Sequence, residues 1–336
     1  MRIGLAGVGR IGAFHAQTLR TLPAIGTLVL ADTDAVRAHL VAAQLGETGV
    51  VVLDRPDDLF SAGLDGLVIA AATDAHPELL ERGVDAGIPV FCEKPVAPDV
   101  QGTLAVIDRV GGTEVPVQVG FQRRFDAGYT AARDAVAAGK LGWVHTVRAC
   151  TLDPGPPTPE YVAASGGFFR DCSVHDFDII RWVTGREVVE VFARGTNRGA
   201  DFFRASGDVD TLAAMLVLDD DTLALVSATR YNAAGYDVRL EVLGSQDSVA
   251  VGLDDRLPLR SVEPGVRWPG GPAYPLFMDR FRPAFAAELS AFVDLVAGRG
   301  QSPCTVFDAL EAFYIAEACE RSRQENRSVR LDEVRR

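Results

Sequence analysis

Residues 166–178 read GGFFRDCSVHDFD and set Asp171, His175, Asp176 and Asp178 within eight positions. Imidazole exchanges protons near neutral pH, and carboxylates around it could bind a metal, serve acid/base chemistry or begin a helix. A metal site needs ligands converging from several elements, and Asp171 with His175 supplies only two. The five histidines (His15, His39, His76, His145, His175) have neither H-x-E nor H-E-x-x-H spacing, so no metal is predicted. Ser173 followed by Asp176 reads as a capping box for a helix beginning near Val174, with Phe177, Ile180, Trp182 and Val183 supplying its buried face. That account leaves Asp171, His175 and Asp178 unexplained. Cys172 would need a partner base and an activating environment to act as a nucleophile; it is read as a buried small hydrophobe instead.

A second group of residues points to a phosphate-bearing ligand. Gly7-Val8-Gly9-Arg10-Ile11-Gly12 follows an apolar strand and opens a helix. In that context glycines permit a tight turn, a close approach of backbone to a pyrophosphate, and packing of helix on sheet. The helix start adds oriented N–H groups and a positive dipole end. Asp32 ends the next strand, twenty residues past Gly12. A carboxylate there accepts the ribose hydroxyls of an adenosine and repels a 2′-phosphate, so NAD is predicted over NADP, with Arg37 the nearby residue that weighs the other way. Thr73 and His76 follow the strand GLVIAA at the edge where open α/β sheets bind ligands; either faces the cofactor, or the turn simply starts a helix with Pro77 in its first turn. Glu93 and Lys94 end a further strand, PVFCEK. A lysine in such a place needs a partner, because desolvating an ammonium is costly, and Glu93 or a ligand would serve.

The elements that must carry these groups are legible in outline. Through the first third, short apolar runs alternate with helix-length segments, which predicts βαβ units and a doubly wound parallel sheet over residues 1–120. After Val119, strand-like runs at 143–151, 187–197, 209–218, 222–231 and 236–244 predict an open, mostly antiparallel sheet in a second, α+β domain, residues 121–336. Helices are predicted at 280–297 and 305–322, covering or returning toward the first domain. The Pro-rich stretch 153–161, DPGPPTPEY, is expected to be a semi-rigid loop, either a surface connector or part of a substrate pocket.

Length and composition agree with this plan. The 336 residues suit two domains, and 48% apolar with 24% charged residues is an ordinary globular balance. A formal charge of −13 with no basic stripe argues against nucleic acid. No run reaches about 18 apolar residues and the N-terminus leads straight into a strand, so no membrane span or cleaved signal is expected and the protein is placed in the cytoplasm. The five cysteines are scattered and never at C-x-x-C spacing, which excludes a disulfide framework or zinc knuckle.

Taken together, GVGRIG with His15 beyond it, T-x-x-H at 73–76, EKP at 93–95, GFQRRFD at 120–126 and GGFFRDCSVHDFD at 166–178 resemble the Gfo/Idh/MocA family of nicotinamide-dependent oxidoreductases, most of all its inositol 2-dehydrogenases. The resemblance spans nearly the whole chain and implies NAD bound across a Rossmann domain, with Lys94, Asp171 and His175 catalytic. His175 would take a hydroxyl proton as hydride leaves carbon, and Lys94 would stabilise the developing alkoxide, while Asp171 would orient His175 or bind a neighbouring hydroxyl. It further implies a small polyhydroxylated ring as substrate, met by Arg124, Asp153, Tyr161 and Tyr236, and a homotetramer, with a dimer the next alternative, assembled through the outer face of the second sheet. Leu152 stands where related sequences often carry arginine, and Gln122 where asparagine or methionine is usual, which loosens the choice of ring. Rival readings are a dehydrogenase of another sugar, aminocyclitol or scyllo-inositol, and a non-catalytic NAD-binding regulator.

Overall fold

A computed structural model describes residues 1–46 and 48–335. The chain divides into two compact units, one of residues 1–122 with 283–310 and one of 123–282 with 311–335. The second is thus not a continuous block running from residue 121, since 283–310 belongs with the first.

In the first unit six strands, β1 (Arg2–Ala6), β2 (Thr27–Ala31), β3 (Val50–Leu53), β4 (Gly66–Ile69), β5 (Val90–Glu93) and β6 (Val117–Gly120), form a sheet in the order β3-β2-β1-β4-β5-β6. All neighbours are parallel. This is the doubly wound arrangement, whose order reverses beside β1 and so opens a ligand crevice at the strands' carboxyl ends. Ile3, Leu5, Leu28, Leu30, Val68 and Phe91 are fully buried, as strands covered on both faces require. Leu289 and Phe292 of helix Arg282–Val296 join the same core, which is why 283–310 returns to this unit.

That helix also buries a carboxyl. Glu288 is fully buried, and among the described residues neither of its side-chain oxygens finds a hydrogen-bond partner. Burial, then the charge of Glu93, pushes its pKa well above the usual range, so the folded protein holds it protonated. Unfolding at neutral pH releases that proton, and stability therefore declines as pH rises above the ordinary carboxylate range. Glu288→Gln removes this dependence: its Tm should exceed that of the wild type by more at about pH 8 than at about pH 5, as read by thermal unfolding.

The second unit contains a seven-stranded mixed sheet. Its strands are β7 (Val144–Leu152), β8 (Val188–Thr196), β9 (Thr211–Leu218), β10 (Leu223–Thr229), β11 (Asp237–Gly244), β12 (Ser248–Val251) and β13 (Val329–Arg330), in the order β12-β11-β7-β10-β9-β8-β13. Only β7 and β10 run parallel. Period-two alternation is clean: Leu212, Ala214, Leu216, Ala224, Val226 and Ala228 point inward, while Met215, Leu223 and Leu225 point to the exposed face. Helix Val174–Thr184 packs on β7. The Pro-rich stretch is not loop throughout, because Pro159 opens a short helix, Pro159–Ala164, where a missing N–H costs nothing, and Thr158 caps it by accepting from Tyr161 N–H.

Candidate active site

The glycine loop links β1 to helix Arg10–Thr21. Gly7 has φ +86°, and a Cβ there would lie 2.6 Å from Ala71 Cα; at Gly12 a Cβ would fall 2.0 Å from Gly7 O. Both positions exclude a side chain. Around Gly9, by contrast, a Cβ would meet no atom within 4 Å, and the helix that Arg10 and Ile11 begin has neither a side-chain cap nor an acid in its first turn. Its first-turn N–H groups are oriented for an anion approaching over Gly9, which is the cradle that a dinucleotide pyrophosphate fits. Asp32 is buried at the end of β2; Oδ2 accepts from Val8 N–H and Oδ1 from Asp34 N–H, each at 2.8 Å. Arg37 Nη1 lies 3.7 Å from Oδ2. The carboxylate is therefore anchored to the loop whose ligand it would read.

At the other strand ends the predicted groups separate. The ring of His76 is buried, with Nδ1 2.8 Å from Pro95 O and Nε2 3.1 Å from Ala71 O. Both nitrogens meet main-chain carbonyls, so His76 braces the turns after β4 and β5. Thr73 stays half-buried in the turn that precedes it. Glu93 Oε1 lies 2.6 Å from Nε2 of His15, whose ring packs edge-on against Phe91 and Phe285. Lys94 is the residue directly beyond β5, half-buried.

In the second unit the stretch 166–178 forms a wide π turn, Phe169–Ser173, running into helix Val174–Thr184. The helix starts where the sequence predicts, but the capping box does not form: Ser173 makes no side-chain cap. Asp176 is instead drawn inward by Arg123, whose Nη1 donates to Oδ1 at 2.5 Å while Nη2 donates to Thr151 Oγ1 at 2.8 Å. Thr151 in turn donates to Asp176. Asp178, left open by the sequence, receives Arg124 through both Nε (2.9 Å) and Nη2 (2.5 Å). All four charged groups are buried. Arg124, expected at the substrate, is thus clamped in the scaffold, because an ionised side chain out of water needs a paired counter-charge.

Asp171, Asp153 and Tyr161 do come together, through a residue the sequence reading passed over. Arg230 Nη1 donates to Asp153 Oδ2 and Nη2 to Asp171 Oδ2, both at 2.6 Å. Tyr161 Oη donates to Asp171 Oδ1 at 2.8 Å. His175 lies four residues beyond Asp171, half-buried in the first turn of the helix. Burial raises the Asp153 carboxyl, with Arg230 pulling it back. Tyr236 is buried, which pushes its hydroxyl well up and keeps it a neutral phenol. Burial likewise drives the Cys172 thiol far above its ordinary value, so it carries no nucleophile. Inward alternation along Ala224, Val226 and Ala228, continued one step past β10, would have pointed to Arg230. Among the described residues no three His, Cys, Asp or Glu side chains are grouped to hold a metal ion, and no helix is long and apolar enough to cross a membrane.

Residues 1–121 match the oxidoreductase family with an NAD-binding Rossmann fold, and residues 129–250 match the GFO/IDH/MocA C-terminal domain. The chain belongs to the Gfo/Idh/MocA family. It is 39% identical to a myo-inositol dehydrogenase of Streptomyces leeuwenhoekii, over 96% of this chain and 97% of the relative. A probable dehydrogenase from Thermotoga maritima superposes with a TM-score of 0.91 at 30% identity, covering 99% of this chain and all (100%) of that one. The scyllo-inositol dehydrogenase of Lactobacillus casei, solved with NAD(H) and scyllo-inositol, gives 0.86 at 28% identity, covering 99% of each chain. This Gfo/Idh/MocA member is an NAD-dependent oxidoreductase acting on CH–OH, of the inositol dehydrogenase group. A purely regulatory, non-catalytic role is set aside.

Proposed function

We propose that the protein oxidises a ring hydroxyl of a cyclitol, taking myo-inositol to 2-keto-myo-inositol (scyllo-inosose). The observation that carries this reading is Asp171, gripped at one oxygen by Tyr161 and at the other by Arg230, four residues before His175. Fixed carboxylates on the stretch that also carries a histidine suit a substrate that presents several hydroxyls and must lose a proton from one. NAD, when bound, supplies the hydride acceptor. His175 takes the hydroxyl proton, and the Lys94 ammonium stabilises the developing alkoxide. Gly7, Gly9 and Gly12, with Arg10 and Ile11 opening the helix, receive the pyrophosphate; Asp32 reads the ribose, and Thr73 lies at the same sheet edge. Asp153, Tyr161 and Tyr236 are proposed to meet the ring, whereas Arg124 is assigned to the scaffold.

A panel of polyols and sugars, each with NAD and with NADP and followed by NADH or NADPH absorbance, tests this. myo-Inositol with NAD should give the highest kcat/KM, and NADP should be a poor acceptor because Asp32 repels a 2′-phosphate. Preference for scyllo-inositol or an aldose would replace the substrate, and preference for NADP would overturn the role of Asp32.

A homotetramer is proposed on the strength of the outer sheet face, where Leu225 and Leu223 are 44% and 42% exposed and Leu225 pairs with Met215 across the strands. Apolar faces of this kind mark protein interfaces. Light scattering should give a tetramer for the wild type and a smaller species for Leu225→Arg; a wild-type monomer would refute the assembly. Five buried cysteines without a disulfide support a reducing, cytoplasmic setting.

A further inference from the structure

Arg230 has no place in the roles just given, yet it organises the charges around them. It follows the last residue of β10, as Asp153 follows the last residue of β7, and the parallel pairing of Thr229 with Leu152 sets the two side chains next to each other. Its guanidinium is buried and centred 4.3 Å from the middle of the Phe168 ring. From that fixed plane it gives one N–H to Asp153 and one to Asp171. A guanidinium forks to two carboxylates at once and keeps its charge when buried; an ammonium, a single point charge, does neither as well. Carboxylates held ionised by a shared guanidinium have remaining lone pairs that can only accept. Such a cluster recognises hydroxyl donors. It also makes Asp171 a poor base, because both of its oxygens already receive donors.

We propose that Arg230 is a positioning residue for the substrate: it holds Asp153 and Asp171 ionised as acceptors for neighbouring ring hydroxyls and keeps Asp171 out of proton transfer, leaving that step to His175. The proposal rests on the reading of Asp171 and His175 given above. Its consequence is that ring recognition depends on a residue with no need to touch the ring.

The test compares wild type, Arg230→Met and Arg230→Lys as full-length proteins, with myo-inositol and NAD, from about pH 6 to about pH 10. Arg230→Met should raise KM by about 100-fold while lowering kcat by less than about tenfold, because the lost interactions grip the ground-state ring. Its kcat/KM should also fail at higher pH on the acidic side. Without the guanidinium, Asp153 titrates nearer neutrality, facing Asp171, Arg123, Cys172 and Tyr236 as its other charged or titratable neighbours. Arg230→Lys keeps the charge but spans one carboxylate, and should fall between. The Kd for NAD should match the wild type in both. A folded Arg230→Met with wild-type KM and pH profile overturns the proposal. Thermal unfolding supplies a readout free of substrate: half-buried carboxylates that lose their shared guanidinium cost more once ionised, so Arg230→Met should lose more Tm at about pH 8 than at about pH 5. Equal losses at both would overturn the clamp. If the wild type oxidises no polyol, the cyclitol reading fails, and the unfolding comparison still decides whether Arg230 holds the carboxylates.

Discussion

His175→Ala is expected to lower turnover by about 10³-fold, within the range that general acid/base catalysis contributes. The Kd for NAD should stay within about twofold, because the proposed ring-hydroxyl chemistry is separate from dinucleotide binding through the glycine loop. The alanine leaves a gap that free imidazole can enter, so partial rescue by added imidazole would identify the missing function as proton transfer and not packing. Lys94→Met should depress turnover to a similar degree, for a different reason: it removes the cation proposed to stabilise negative charge as it develops, and no added base would restore it. Steady-state kinetics with fluorescence titration of NADH separates chemistry from cofactor binding. Wild-type turnover in either variant would remove that residue from the mechanism.

The second large effect concerns stability. Arg123→Met should destabilise the second unit by about 3–5 kcal/mol, the usual consequence of stranding one member of a buried ion pair. Asp176 is fully enclosed, and after that change its remaining partner is Thr151. The double variant Arg123→Met/Asp176→Leu, which removes both charges, should recover much of the loss, since apolar pairs of similar volume often replace buried ion pairs at little cost. Denaturant midpoints followed by circular dichroism measure both. If Arg123→Met yields no folded protein, Asp176→Asn, which keeps shape and loses charge, gives the same comparison in milder form. A double variant no more stable than the single one would mean that the pair stabilises beyond mutual neutralisation.

These two predictions also mark what the sequence could and could not disclose. The glycine loop, Asp32 and the parallel strands are local patterns: a run of buried apolar residues, a turn that only glycine fits, a helix that starts after it. Each is written within about 30 residues, the size of one βαβ unit. The roles of Asp176 and Asp178 are not local, because their partners Arg123 and Arg124 lie 53 and 54 positions away. From spacing alone Asp176 looked like a cap for Ser173, and only the buried arginines show why it turned inward. The contacts of His76 were no more legible, since a polar ring at a strand end is as useful to main-chain carbonyls as to a ligand. The edge strands β12 and β13, four and two residues long, are too short to carry a period. The helix at 282–296 was visible as a helix, but its destination depended on which core its phenylalanines entered.

The linked charges Asp153, Arg230 and Asp171 bear on how the second sheet is made as well as on what it binds. β10 carries two stripes, Ala224, Val226 and Ala228 facing in and Leu223 and Leu225 facing out, and hydrophobicity alone discriminates weakly between them. A slip of one residue would still put an apolar stripe inside. It would also swing Arg230 to the outer face and take from Asp153 and Asp171, both half-buried, the guanidinium they share, a penalty that falls on the slipped register and not on the native one. The cation at the end of β10 therefore acts as a proofreader of strand register, rejecting a misaligned sheet that the apolar residues by themselves would tolerate.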